Sequence, residues 1–348
     1  AKTVVMDFLP NGRVEYGDVT GLHSYYENNK KANSKGTMEP VSKIWLGHTS
    51  RRTYEDIVFL PNKDVPNAYN YWQGFSVDTD RTKSCRLFLK HLREVVCNDN
   101  PEYLDYLIKW LAHMIQKPED KPGVAIVIKG KKGTGKDTPF EYVGRLIRNH
   151  YVTIANQEQL VGKFNRHLER VLLLHMQEGY WAGSKSAEGA LKHLITSEDV
   201  LIEPKGMNAF PVKSVLRLFI SSNEKWVVPA SEDERRYFVL EISNKRRGDH
   251  AYFAALRHEM DHGGPSALLH YLLNFDLTGF QVRDVPDTVA LAEQKVEGLK
   301  NVERWWFNVL QEGEIEGYQK SDTISNNLWL KQGISIEKGE FKDNYARW

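Results

Sequence analysis

The chain has 348 residues and 41% hydrophobic content, enough for two or three domains with ordinary cores. Its 47 basic and 46 acidic residues leave a net charge of +1, which excludes a global basic field, so any nucleic-acid contact must come from local patches. Cys85 and Cys97, with no C-x-x-C spacing or paired histidines, argue against zinc and for a reducing compartment, and no apolar run approaches the roughly 20 residues of a membrane span.

The chain begins at Ala1 within a strand-like pattern and without Met, so a fragment of a longer protein is expected; no signal peptide is visible. Residues 1–80 are rich in Asn, Gly, Lys and aromatics, with short strands expected at Val4–Met6 and Tyr54–Leu60 and a polar loop over Asn28–Gly36. Tyr69, Tyr71, Trp72 and Phe75 either stack on bases or pack in a core; without an adjacent basic run, core packing is the expectation. From Ser84 to Gln116 the apolar spacing becomes helical, broken by the turn Asn98-Asp99-Asn100-Pro101, and Lys117–Pro122 marks a boundary.

Gly123–Thr138, GVAIVIKGKKGTGKDT, is the stretch around which the chain is organised. Val124 to Ile128 are uninterrupted apolar residues, mostly β-branched, which suits a parallel strand buried on both faces. Gly130, Gly133 and Gly135 let the backbone close around an anion, Lys136 adds positive charge, and Phe140–Ile147 is expected to be helical. The spacing is G-x-x-x-x-G-K in its strand, loop and helix setting, which implies phosphate binding by Gly130, Lys132, Gly133, Thr134, Gly135, Lys136, Asp137 and Thr138. Asp137 stands where such loops carry a metal-binding hydroxyl, with Thr138 one place later; a carboxylate there can hold a metal but also repels a triphosphate.

Arg170–Glu178 is a second buried-strand pattern, with Gln177 and Glu178 at its carboxyl end, where open α/β sheets bind ligands. Glu178 suits a base that activates water and a Mg²⁺ partner, whereas Gln177 is neutral. An amphipathic helix is expected at Ser186–Ile195, then an extended piece, Val200–Gly206, with Lys205 at the tip of a hairpin, where it contacts a DNA phosphate or only solvent. Val215–Asn223 is a third strand whose Asn223 contacts a phosphate or forms a turn. Arg235 and Arg236 precede the strand Tyr237–Ile242, as a surface ion-pair patch or as an arginine finger for a neighbouring subunit. Lys245-Arg246-Arg247 reads as a solvated turn. Helices follow around Tyr252–Met260 and Pro265–Phe275, then a linker, then one longer helical pattern over Thr288–Leu310 whose Trp305, Trp306 and Phe307 are expected in a core; the tail from Glu312 reads as a small capping element.

In this order GKKGTGK, VLLLHMQEGYWAGSK, IEPKGMNAF, LFISSN and DERRYF resemble the A, B, B′ and C motifs and the arginine finger of superfamily 3 helicases. YWQGF, YLIKWLAHMIQKP and DVPDTVALAEQK are similar to the phage and plasmid primase-helicase branch, and the chain as a whole looks like the C-terminal part of a phage primase-polymerase. The resemblance implies an α/β fold, a P-loop NTPase with an AAA+-type parallel sheet at 120–248. An irregular segment at 1–80, a helical unit at 81–119 and a helical region at 249–348 flank it. It implies ATP and Mg²⁺ as cofactors and a homo-oligomeric ring, a hexamer, on single-stranded DNA. It also implies a primase-polymerase domain in the same protein, at work in the host cell cytoplasm. Carried over, Lys136 grips the β- and γ-phosphates, Glu178 activates water, Asn223 senses the γ-phosphate, Arg235 or Arg236 acts in trans, Thr138, Asp137 and Glu178 hold Mg²⁺, and Lys205 touches DNA. Gln177 and Asp137 depart from the pattern, which puts hydrolysis in question.

Overall fold

The computed structural model describes residues 5–8, 14–155, 159, 165–179, 185–203, 209–312 and 337–348. It divides into two units, Ala1–Gly74 and Phe75–Trp348.

The first unit is made of short strand pairs and two short helices. β1 (Val5–Phe8) and β2 (Val14–Gly17) pair antiparallel, and α1 (Val19–Tyr25) is capped by the Asp18 carboxylate, which accepts from Gly21 N at 2.8 Å. The polar loop expected over Asn28–Gly36 is instead half of a hairpin, β3 (Lys30–Ala32) against β4 (Met38–Pro40). The Asn33 side chain accepts from Lys35 N and Thr37 N and so closes the turn that reverses the chain. After α2 (Val41–Gly47), the strand expected at Tyr54–Leu60 shortens to β5 (Asp56–Val58), parallel to β6 (Ala68–Asn70). Tyr71 is buried and Tyr69 packs edge-on against it at 5.5 Å, the core packing expected of these aromatics.

The second unit opens with α3 (Arg86–His91), which continues as a π-turn through Val96, and α4 (Pro101–Gln116). Asn100 caps α4 by accepting from Glu102 N and Tyr103 N, and Pro101 occupies the first turn, where its missing N–H costs nothing. The unbroken apolar run becomes β7 (Ala125–Lys129), buried throughout. Then come α5 (Thr138–Gly144), β8 (Tyr151–Ile154), β9 (Leu173–Gln177), α6 (Lys185–Thr196) and the antiparallel pair β10 (Asp199–Ile202) and β11 (Phe210–Lys213). β12 (Arg217–Ser222) and β13 (Tyr237–Glu241) complete a five-stranded sheet of order β13-β7-β12-β9-β8. Every pairing in it is parallel, which is why its strands are apolar on both faces.

Helices α7 (His250–Asp261), α8 (Gly264–Leu273) and α9 (Val289–Glu297) close around this core. Gln116 donates to the carbonyls of Leu272 and Phe275, which ties α4 to the end of α8, and Thr288 Oγ1 donates to that of Val239 at 2.6 Å, which ties the start of α9 to β13. The single helical pattern expected over Thr288–Leu310 breaks at Gly298 into α9 and α10 (Asn301–Glu312): Gly298 caps α9, its N–H donating to the carbonyls of Gln294 and Lys295, and packs against the carbonyl of Ala230, 3.1 Å from where a Cβ would stand. Trp305 is buried against Phe341 and Tyr345 of α11 (Lys338–Arg347), while Trp306 on the same helix is 37% exposed. No helix among the described residues is long and apolar enough to cross a membrane.

Arg217, at the amino end of β12, is a fully buried cation. Its guanidinium donates to the carbonyls of Pro118, Val215, Lys117 and Asp120 at 2.7 to 3.1 Å, which fixes the Lys117–Pro122 connection to the sheet. Burial pulls its pKa down to about 9 against the attraction of Asp120 and Glu119, so it remains charged at neutral pH. Arg217→Met keeps much of the volume but strips four carbonyls of their donor, those of Pro118 and Val215 in buried hydrogen bonds. It is expected to lower the unfolding free energy by about 3 kcal/mol, read from equilibrium urea unfolding; a loss below about 1 kcal/mol would make the cage incidental.

Candidate functional site

The connection from β7 to α5 sits at the carboxyl edge of the sheet, with β12 on one side of β7 and β13 on the other. Gly133 (φ +78°) and Gly135 (φ +84°) use the left-handed conformation open to glycine, and a Cβ on Gly135 would lie 2.5 Å from Phe253. Thr134 is buried, its hydroxyl donating to the carbonyl of Lys131 at 2.7 Å. The turn expected of Lys245-Arg246-Arg247 is a brace for this loop and not merely solvated. Arg247 Nε donates to Lys132 O at 3.1 Å, Gly248 N to Gly133 O at 3.3 Å, and Arg246 pairs with Asp249 and lies over the Tyr252 ring. Helix α5 starts two residues earlier than expected and is only seven residues long. Its N-cap, Asp137, makes no cap hydrogen bond, and Thr138 N is already bonded to Gly135 O.

Lys136 is drawn inward, its side chain 7% exposed, with Nζ 3.3 Å from Glu178 Oε1 and 3.5 Å from Asp137 Oδ2. Glu178 is the first residue after β9 and has φ +52°, a left-handed conformation that a non-glycine residue holds at a cost of about 1 kcal/mol. Its other oxygen accepts from Asn223 Nδ2 at 2.5 Å, and Asn223 Oδ1 is buried with no hydrogen-bond partner among the described residues. Strand order explains the meeting: β12, which delivers Asn223, lies between β7, which delivers Lys136, and β9, which delivers Glu178.

Behind Lys136 lies a polar network that the motif spacing does not reveal. Asp137 Oδ1 accepts a hydrogen bond from Ser221 Oγ and stands 3.4 Å from His175 Nε2; His175 Nε2 is 3.0 Å from Ser221 Oγ, and its Nδ1 is 2.9 Å from Tyr151 OH. Burial pushes the Asp137 pKa up, but the hydrogen bonds from His175 and Ser221 and the charge of Lys136 outweigh it, leaving a value of about 2 and an ionised carboxylate. The sequence signal for this network is a histidine and a serine inside otherwise apolar buried strands, LLHMQ and RLFISS.

The other expected residues are dispersed. Lys132 is exposed at the loop surface and Gln177 is the half-buried last residue of β9. Arg235 and Arg236 lie at the opposite, amino edge of the sheet, where Arg236 O accepts from Ala125 N; a strand of this length separates the edges by roughly 17 Å. Arg236 is paired with the buried Glu234 at 3.0 Å, and Arg235 is exposed. Lys205 lies outside the described residues, although the hairpin expected to carry it forms as β10 and β11.

A family model described as "Family of unknown function (DUF5906)" matches residues 128–236, an interval that begins in β7 and takes in Lys136, Glu178, Asn223 and both arginines. The DNA primase-polymerase of Nitratiruptor phage NrS-1 is 24% identical over 277 residues, 74% of this chain; the chain spans only 38% of that relative's length. Among solved structures, the apo C-terminal region of NrS-1 superposes with a TM-score of 0.67 at 19% identity, over 91% of this chain and 77% of that one. Its A form gives 0.71 at 19% identity, over 95% and 80%. The chain is thus similar in sequence to a phage DNA primase-polymerase and shares the fold of its C-terminal region.

Proposed function

We propose that this chain is the ATP-binding and ATP-hydrolysing part of a phage replication protein, a P-loop core of AAA+ type that acts as a helicase or translocase ring on single-stranded DNA. The observation that carries the reading is the convergence of Lys136, Glu178 and Asn223 at the carboxyl edge, beside a loop with two left-handed glycines. Phosphate oxygens at Lys136 compete with Glu178 for its charge and leave the carboxylate held by Asn223 alone, free to accept a proton from water. Asp137, Thr138 and Glu178 supply the hard oxygen donors that suit Mg²⁺, and the unpartnered Asn223 Oδ1 adds an acceptor at the same edge. Held by these residues, such an ion would offset the negative charge of a bound triphosphate.

The two arginines fit a trans role. They sit a strand's length from Lys136 of their own chain, and exposed Arg235 is freer to reach a neighbour's nucleotide than Arg236, which Glu234 holds. Lys205 is the DNA contact in this reading, and a primase-polymerase domain is its partner in the same protein. A second reading has one feature in its favour: Gln177 stands where a motor carries an acid, as in a ring that binds ATP and clamps DNA with little turnover.

Steady-state phosphate release with and without single-stranded DNA tests the choice. A motor is expected to hydrolyse ATP several-fold faster with DNA and to lose that activity in Glu178→Gln. Tight ATP binding without turnover would support the clamp, and turnover indifferent to DNA would remove both.

A further inference from the structure

The side chains that surround Asp137 make it more than a departure from a motif. β9 and β12 are in register with Ser221 opposite Gln177. The period of two puts Gln177 on the same face of β9 as His175, the face on which His175 Nε2 meets Ser221 Oγ. An acid at 177 would therefore stand beside Asp137, two carboxylates sharing one small space, which like-charge repulsion disfavours. The neutral Gln177 and the charged Asp137 are complementary changes, with the carboxylate delivered from the loop instead of the strand.

We infer that Asp137 is the carboxylate that holds the nucleotide's divalent cation, and that His175 and Ser221 are positioning residues that aim it. The inference rests on the nucleotide-binding reading. One oxygen, Oδ1, is occupied by Ser221 and His175, so the carboxylate cannot rotate freely; the other, Oδ2, is turned to the Lys136 side, where phosphate would lie. His175 and Ser221 are both buried, and Tyr151 fixes the far side of the imidazole. This is a layered arrangement of the kind that orients metal ligands from behind.

The test separates cation binding from nucleotide binding and from turnover. A fluorescent, slowly hydrolysed ATP analogue is titrated in EDTA, and Mn²⁺ affinity of the analogue complex is then measured by the loss of the free-ion EPR signal. Asp137→Asn, which removes a charge that repels the triphosphate, is expected to bind the analogue in EDTA at least as tightly as the wild type but to lower the Mn²⁺ affinity of the complex about 100-fold, with His175→Gln and Ser221→Ala lowering it about 10-fold. The exchange Asp137→Ser with Gln177→Asp is expected to regain at least about tenfold of the loss, whereas Gln177→Asp alone gains nothing. Unchanged Mn²⁺ affinity in Asp137→Asn, or a tenfold gain in Gln177→Asp alone, would overturn the inference. Failure of the wild type to bind the analogue at all would overturn the nucleotide reading itself, a distinct result.

Discussion

Lys136→Ala is expected to weaken nucleotide binding by about 100-fold or more and to reduce ATP turnover to background. The ammonium is the charge that Glu178 and Asp137 both face, at 3.3 and 3.5 Å. Its removal costs the charge-assisted contact to phosphate, about 1.5–3 kcal/mol, and also leaves two carboxylates uncompensated where a polyanion must enter. Three kcal/mol alone is a factor of about 150, so the combined loss exceeds what the remaining backbone N–H groups recover. A double variant separates the terms: adding Glu178→Gln to Lys136→Ala removes one repelling charge and is expected to restore part of the binding but none of the turnover. Fluorescent-nucleotide titration reads both. Binding within about threefold of wild type in Lys136→Ala would remove the loop from consideration as a phosphate site.

Acidification is expected to destabilise the second unit steeply between pH 6.5 and 4. Burial lowers the pKa of His91, His113 and His150 to about 4 each, from 6.5, with Arg217 adding to the effect at His113; backbone hydrogen bonds at Gly135 and Arg170 offset part of it at His91 and His150. Above pH 6.5 each histidine is neutral in both states and contributes no pH dependence. Between 6.5 and 4 the unfolded chain takes up protons that the folded chain refuses, so stability falls as pH falls, by up to about 1.4 kcal/mol per unit for each histidine. The limit is about 3 kcal/mol each, and three such groups approach the 5–15 kcal/mol that holds a typical domain together. Asp137 acts lower on the scale: its contribution, with a folded pKa of about 2, persists to about pH 4 and is lost only toward pH 2. Urea midpoints at pH 7.5, 6.0 and 5.0 should fall progressively; a flat series would show that these imidazoles accept protons without unfolding.

The strand, loop and helix around Lys136 were legible because their signals are local. A β-branched run too short for a membrane, followed by glycines, admits few alternatives, and the helices at Pro101–Gln116 and Lys185–Thr196 declare themselves by apolar spacing. The boundaries of short elements were less so: three-residue pairs such as β3 and β4 depend on the Asn33 turn and carry almost no periodicity. Gly298 caps α9 inside a continuous helical pattern and packs against Ala230, and Arg247 braces a loop more than a hundred residues upstream. Arg217 and His175 look like interruptions of apolar strands until the sheet order supplies their partners. Motif order, taken with the family resemblance, predicts that Lys136, Glu178 and Asn223 meet; the network that fixes Asp137 is a property of the register between β9 and β12.

The order of strands in the central sheet also governs when the molecule can come into being. β7 finishes at residue 129, yet both of its neighbours, β12 and β13, come much later in the chain, closing at residues 222 and 241. On a ribosome adding about 5–20 residues per second, this buried, apolar strand waits several seconds with both edges bare. Such long-range parallel pairing folds slowly and invites edge-to-edge aggregation in the interval. Any chain that stops short of Glu241 leaves that edge bare permanently, so shortened forms of this unit should collect in the insoluble fraction.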